Sequence, residues 1–199
     1  MIAPVPNPPR LILASGSPYR RELLGRLGLP FTVQTPGTDE SVRAGEGPAE
    51  RARRLALAKA LSLAPSHPEA VLIGSDQVAV CGGELLHKPG NAARCVAQLR
   101  QLSGNAAVFY TAVAIAGPAA AAPLQFLDTT TVEFRSLSDD EIQRYVAAEQ
   151  PFDCAGGFRC EGLGISLFAR LQSEDPTGLI GLPLIELAAA LRGRGYAIP

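Results

Sequence analysis

Residues 11–31 read LILASGSPYRRELLGRLGLPF, and the architecture follows from how they divide. Leu11, Ile12 and Leu13 form a short apolar run of the kind a buried strand carries. Ser15, Gly16 and Ser17 follow as a turn of small side chains. Ser17 is a good N-cap, and Pro18 suits the first helical position, where its missing N–H costs nothing. Arg20 and Arg21 fall in the first turn of that helix. Leu23, Leu24 and Leu27 give it an apolar stripe, and Gly28 is placed to end it in a left-handed conformation. A strand thus feeds a helix through a turn whose backbone N–H groups are free to face an anion. Two arginines at the positive end of the helix dipole are unfavourable for the helix itself, which points to an anionic ligand. On spacing alone, a solvated pair of charges is the plain alternative.

Outward from this segment, residues 31–34 read as a second strand and 35–47 as a polar loop carrying Asp39 and Glu40. Residues 48–63 are helical in pattern. Ala52, Leu55, Ala56, Lys59, Ala60 and Leu63 share one face, and Arg51, Arg53 and Arg54 lie mostly on the wet side. Two prolines make 64–70 a loop. A buried strand begins at 71–73 and runs into Gly74-Ser75-Asp76-Gln77-Val78. Cys81 to Glu84 then reads as a hairpin turn. Leu85 and Leu86 lead to His87-Lys88-Pro89-Gly90, and Asn91 caps a helix over 91–102. Strands are expected at 108–115 and 125–134, joined by a flexible GPAAAAP stretch. Ser138 and Glu141 form a capping box opening a helix to Ala148. Residues 150–164 are glycine-rich and aperiodic, as binding loops are. Residues 165–171 read as a strand, and 184–192 as a helix stopped by Gly193 and Gly195. Strands mixed with helices imply an α/β fold.

Composition bounds the rest. A chain of 199 residues, 47% hydrophobic and 19% charged, suits one domain, here 11–199, after a flexible tail over 1–10. A net charge of −1 gives no general attraction to nucleic acid. No apolar run is long enough to span a bilayer, and MIAPVPNPPR lacks a signal peptide's apolar core. Cys81, Cys95, Cys154 and Cys160 show no CxxC pair and no zinc spacing, so they read as buried thiols in a reducing cytoplasm. Of 18 basic residues only Lys59 and Lys88 are lysines, compact charges suited to phosphate oxygens or proton chemistry.

The opening segment resembles that of the Maf family of nucleoside triphosphate pyrophosphatases. The resemblance continues at GSDQV (74–78), LLHKP (85–89), CAGGFRCEGLG (154–164) and GLPLIEL (181–187), so it covers nearly all of the chain after Arg10. It implies a mixed sheet with antiparallel strands, flanking helices, and two lobes around a cleft. It makes Asp76 the catalytic proton acceptor, at the mouth of a buried strand, where a turn-capping aspartate is the alternative. Glu40 joins Asp76 as a ligand for a divalent cation, Mg²⁺ or Mn²⁺. A solvated loop acid, or Asp39 as the ligand instead, competes with that role. Lys59, Lys88, Ser15 and Arg20 are implied at the phosphates, with Arg21 a further candidate. His67 and His87 read as surface or structural residues.

Within the family, Tyr19, Gln77 and Glu161 resemble the branch acting on 7-methyl-GTP. A purine methylated at N7 carries a positive charge, which an aromatic face attracts by about 0.5–2 kcal/mol. A carboxylate accepts from both N1–H and the 2-amino group of guanine. A half-buried tyrosine and a solvated glutamate are the alternatives. The resemblance therefore implies attack of water at the α-phosphorus, releasing a monophosphate and pyrophosphate. The same reaction on dTTP, UTP or another altered nucleotide is one rival. A nucleotide-binding regulator of cell division or septum formation is another. The expected partner is the nucleotide, without nucleic acid or membrane, and a homodimer is the default assembly.

Overall fold

The structure is a computed structural model and describes residues 8–118 and 122–199. Most of the tail expected at 1–10, and the centre of the GPAAAAP stretch, lie outside the described residues. Strand β1 (Leu11–Ala14) is buried at every position and pairs in parallel with β2 (Phe31–Gln34) on one side and β3 (Val71–Cys81) on the other. Parallel neighbours need crossovers. Helix α1 (Pro18–Gly25) supplies the first and α2 (Pro48–Ser62) the second. Gly82 and Gly83, at φ +58° and +86°, turn β3 into its antiparallel partner β4 (Glu84–Leu86). This left-handed geometry costs a glycine nothing and suits a tight hairpin. After α3 (Ala92–Leu102) come β5 (Ala106–Ala116), β6 (Leu124–Phe134), α4 (Asp139–Glu149), β7 (Phe168–Gln172) and α5 (Leu184–Arg192). The hydrogen-bonded order is β2-β1-β3-β5-β6-β7, with β4 on β3 and β7 antiparallel to β6. This is the mixed α/β sheet with flanking helices that the sequence implied.

Three local expectations are corrected. Helix α1 ends at Gly25 rather than reaching Gly28. The N–H groups of Arg26, Leu27 and Gly28 each bond to the carbonyl three residues back, tightening the exit before Gly28 takes φ +69°. The strand expected from residue 165 begins at Phe168. Leu163–Leu167 forms a 3₁₀ turn that Ser166 closes by donating to Leu163 O at 2.7 Å, leaving Leu163 and Ile165 turned outward. Of the four free cysteines, only Cys81 and Cys95 are buried; Cys154 and Cys160 are partly exposed.

The chain divides into two compact units whose boundaries fall within β3, β5 and β6. The first comprises Met1–Gln77, Thr111–Asp128 and Asp175–Pro199. Its core is mostly aliphatic, with Leu13, Leu23, Ile73, Val113, Leu187 and Leu191 all but inaccessible beside Phe126 and Tyr196. The second comprises Val78–Tyr110 and Thr129–Glu174. Its core holds Phe109, Phe134, Phe158 and Phe168 in edge-to-face contacts, with centroids 5.2–5.5 Å apart. That geometry sets ring edges against ring faces, as their quadrupoles favour. Helices α3 and α4 pack together beside it. Among the described residues, no helix is long and apolar enough to cross a membrane.

Candidate active site

The first unit gathers a cluster of charge at the end of its parallel strands. Helix α2 lies so close to β3 that a Cβ on Gly74 would stand 2.1 Å from Ala56 O and 2.6 Å from Ala60 N. That contact, which only glycine allows, sets Lys59 over Asp76. The Lys59 ammonium lies 2.6 Å from Asp76 Oδ1 and 2.7 Å from Glu40 Oε1. The Lys59 and Asp76 side chains are 9% and 10% exposed, whereas Glu40 is 56% exposed, so the cluster is dry on one side and open on the other.

Glu40 is held by its backbone. Arg51 donates to Glu40 O at 3.1 Å, and Arg54 donates to Ser41 O at 3.0 Å while pairing with Glu46. The arginines expected mostly on the wet side of α2 thus include two that grip the Glu40 loop; only Arg53 is exposed. Between the two loop acids the structure is discriminating. Asp39 folds back on Ser41, accepting from its N–H and its hydroxyl at 2.9 Å each, and Glu40 reaches Lys59.

Burial pushes the Asp76 carboxyl above its ordinary pKa. Lys59 and Arg20 oppose the shift, and Glu40 adds to it. Burial lowers the Arg20 guanidinium in turn, against the pull of Asp76 and Glu40. Arg20 sits in the first turn of α1, whose cap Ser17 accepts from Arg20 N. Its Nε donates to Gly181 O at 2.9 Å. Ser15 is buried, and its hydroxyl accepts from Ser17 N at 3.1 Å. Tyr19 is partly buried in the same helical turn. The amide nitrogen of Gln77 is within 3.2 Å of Thr111 Oγ1, Gly178 O and Leu179 O, so the oxygen is the polar atom it has left to offer.

The remaining sequence candidates belong to the second unit. Lys88 is exposed and lines a recess of about 360 Å³ with His87, Arg94 and Gln98. Glu161 lies 3.7 Å from Arg159 Nε, and Arg159 also pairs with Glu149. His67 is structural, its Nε2 2.9 Å from Gln34 Oε1. No site role is given to Ser75, Thr111 or the 175–185 segment by the sequence. Yet Ser75 is inaccessible and donates to Gly181 O at 2.9 Å, and Thr111 donates to Gly178 O at 2.9 Å. The Asp-Pro-Thr-Gly run at 175–178, a turn signature, was the available clue.

Among the described residues no group of three or more His, Cys, Asp or Glu is placed to hold a metal. Two carboxylates do share one cation, since the same ammonium touches both. A hard divalent ion completing its shell with water and phosphate oxygens fits that pair.

The fold is shared with the solved structure titled "The structure of the Staphylococcus aureus Ham1 protein". The match has a TM-score of 0.52 and 15% identity, over 92% of this chain and 98% of that one. The chain belongs to the Maf family, whose model, described as Maf-like protein, matches residues 10–194. It is 53% identical over 191 residues to a 7-methyl-GTP pyrophosphatase of Xanthomonas axonopodis pv. citri, covering 96% of this chain and all of that one. A protein of the same name from Pseudomonas aeruginosa is 50% identical over the same shares. One from Albidiferax ferrireducens is 49% identical over 95% of each chain.

Proposed function

We propose that this chain is a nucleoside triphosphate pyrophosphatase that hydrolyses 7-methyl-GTP to 7-methyl-GMP and pyrophosphate. It would act in the cytoplasm, by default as a homodimer, and remove modified nucleotide before it enters nucleic acid. The names of relatives about half identical over nearly the whole chain support the substrate. The observation that carries the chemistry is the Lys59 ammonium held between Glu40 and Asp76, with Arg20 electrostatically coupled to both acids.

A carboxylate with a raised pKa is the better base, so Asp76 takes the proton as water attacks the α-phosphorus. The bond to the bridging oxygen breaks, and pyrophosphate leaves with the electron pair. Lys59, Arg20 and Ser15 face the non-bridging oxygens, where fixed cations stabilise developing charge. Glu40 and Asp76 would hold Mg²⁺ or Mn²⁺, which when bound polarises phosphate oxygens. Lys88 as a phosphate ligand and Glu161 as a base ligand enter on the family resemblance. Tyr19 offers the methylated ring its π-face, and Gln77 offers its amide oxygen.

The test is kcat/KM for 7-methyl-GTP, GTP, dTTP and UTP with Mg²⁺ or Mn²⁺, for wild type and for Tyr19→Arg with Glu161→Gln. Wild type prefers 7-methyl-GTP to GTP. Each substitution lowers activity on 7-methyl-GTP relative to dTTP and UTP by about 5- to 150-fold, matching about 1–3 kcal/mol for each lost interaction, and the double variant loses at least as much. Equal rates on GTP and 7-methyl-GTP in wild type would sink the cation–π account.

A further inference from the structure

We infer that Asp175 and Thr177 are positioning residues for Arg20, acting through the carbonyl of Gly181. This rests on Arg20 facing the triphosphate as proposed above. Asp175 is only 5% exposed, yet both its oxygens are engaged. Oδ1 accepts from Thr177 N at 2.8 Å and from Thr177 Oγ1 at 2.6 Å, and Oδ2 accepts from Ile185 N at 2.7 Å. Helix α5 has Pro183 at its cap and no side-chain cap of its own, so Asp175 supplies one from eight residues upstream of that proline. The Thr177 hydroxyl also accepts from Leu184 N at 2.9 Å and lies 2.9 Å from Leu182 O. The chain between is closed by Gly178 N to Asp175 O at 2.9 Å and by Gly181 N to Gly178 O at 3.0 Å. One carboxylate and one hydroxyl therefore fix a tight double turn onto the start of α5.

The outer face of that turn is a row of carbonyls, and each receives a donor from the strand ends or from α1. Gly178 O takes Thr111 and Gln77, Leu179 O takes Gln77, and Gly181 O takes both Ser75 and Arg20 Nε at 2.9 Å. The backbone at Gly181 has φ +124°, a conformation that favours glycine, and a Cβ there would lie in van der Waals contact with Arg20 Nε at 3.4 Å. Anchoring Nε fixes the plane of the fork and leaves the terminal N–H groups for an anion. The freedom an arginine side chain would lose on meeting phosphate is already lost in the free protein.

The experiment is a double-mutant cycle between Thr177→Val and Arg20→Ala, read as kcat/KM on 7-methyl-GTP and UTP, with the thermal midpoint measured alongside. In the wild-type background Thr177→Val lowers kcat/KM about 5- to 20-fold on both nucleotides, because the triphosphate is common to them. Thr177→Ser, which keeps the hydroxyl, restores it. In the Arg20→Ala background Thr177→Val costs less than about twofold more, although it lowers the thermal midpoint equally in both. Should the valine variant fail to fold, Ser75→Ala, which releases the same carbonyl, is read in the same cycle with the same expected coupling. Effects that multiply in full overturn the positioning role and leave Arg20 at the phosphate. An Arg20→Ala variant within twofold of wild type removes Arg20 from the phosphate, and the positioning role with it.

Discussion

Lys59 and Lys88 are the only lysines in the chain, and the two units treat them differently. In the first unit Lys59 projects from the buried face of α2 and is fixed between two carboxylates. In the second unit Lys88 follows β4, is exposed, and borders an open recess. The same side chain is a structural counter-ion in one place and a free point charge in the other. Burial makes the difference, because an ammonium taken out of water persists only where carboxylates replace its hydration. On the proposed reading Lys59 therefore has two jobs, as counter-ion and at the phosphates, and Lys88 has one.

The contrast breaks most sharply at Asp76. If the buried cluster were only structural, Asp76→Asn would leave turnover intact. The expected result is a loss of about 10²–10⁴-fold in kcat, as for a lost general base, with the fold retained. Pyrophosphate release and a thermal midpoint measure the two halves, and near wild-type kcat would remove Asp76 from the mechanism.

A smaller effect sharpens the contrast. Lys59→Met and Lys88→Met should each weaken every nucleoside triphosphate alike. Only Lys59→Met should also cost stability, by about 3 kcal/mol. That is the low end for breaking a buried pair, since Glu40 remains half in water. Chemical denaturation of both variants checks this, and equal midpoints would show that the Lys59 contacts add nothing to the fold.

The smallest effect is in pH dependence. Burial raises the Asp76 pKa, so as pH falls the base is protonated early, and the acid limb of kcat/KM lies above the ordinary carboxylate value of about 3.9. Lys59 opposes that rise, so Lys59→Met moves the limb to still higher pH. In Lys88→Met it stays in place. An acid limb common to all three proteins would assign it to another group.

How far the sequence was legible follows the range of the interactions. Helix α1 was readable because Ser17 and Pro18 act on residues three or fewer away, and α4 because Ser138 and Glu141 cap each other. The exit of α1 three residues before Gly28 is not legible, because an i→i+3 tightening carries no distinct residue signature. The start of β7 at Phe168 is not legible, because Ile165 and Leu167 look like strand residues while Ser166 bonds locally to Leu163. Lys59 and Asp76 stand out by type, but nothing in spacing alone tells that Asp39 folds back on Ser41 while Glu40 reaches Lys59. The bonds from Arg20 and Ser75 to Gly181 O span 161 and 106 positions and end on a backbone carbonyl, which every residue carries. No residue-type pattern announces such a contact.

The four phenylalanines of the second unit have a spectroscopic consequence. Ring currents shift the magnetic resonance of nuclei held over or beside an aromatic face. Gly156 backs onto Phe158 so closely that a Cβ there would stand 2.8 Å from the ring. Its α-protons should therefore resonate far from their random-coil position whenever Phe158 is seated among Phe109, Phe134 and Phe168. The sequence has no tryptophan, so no indole ring current competes with that of the phenylalanines. One glycine signal thus becomes a local gauge of order in the second unit, and could be followed while the first is titrated, heated or mutated.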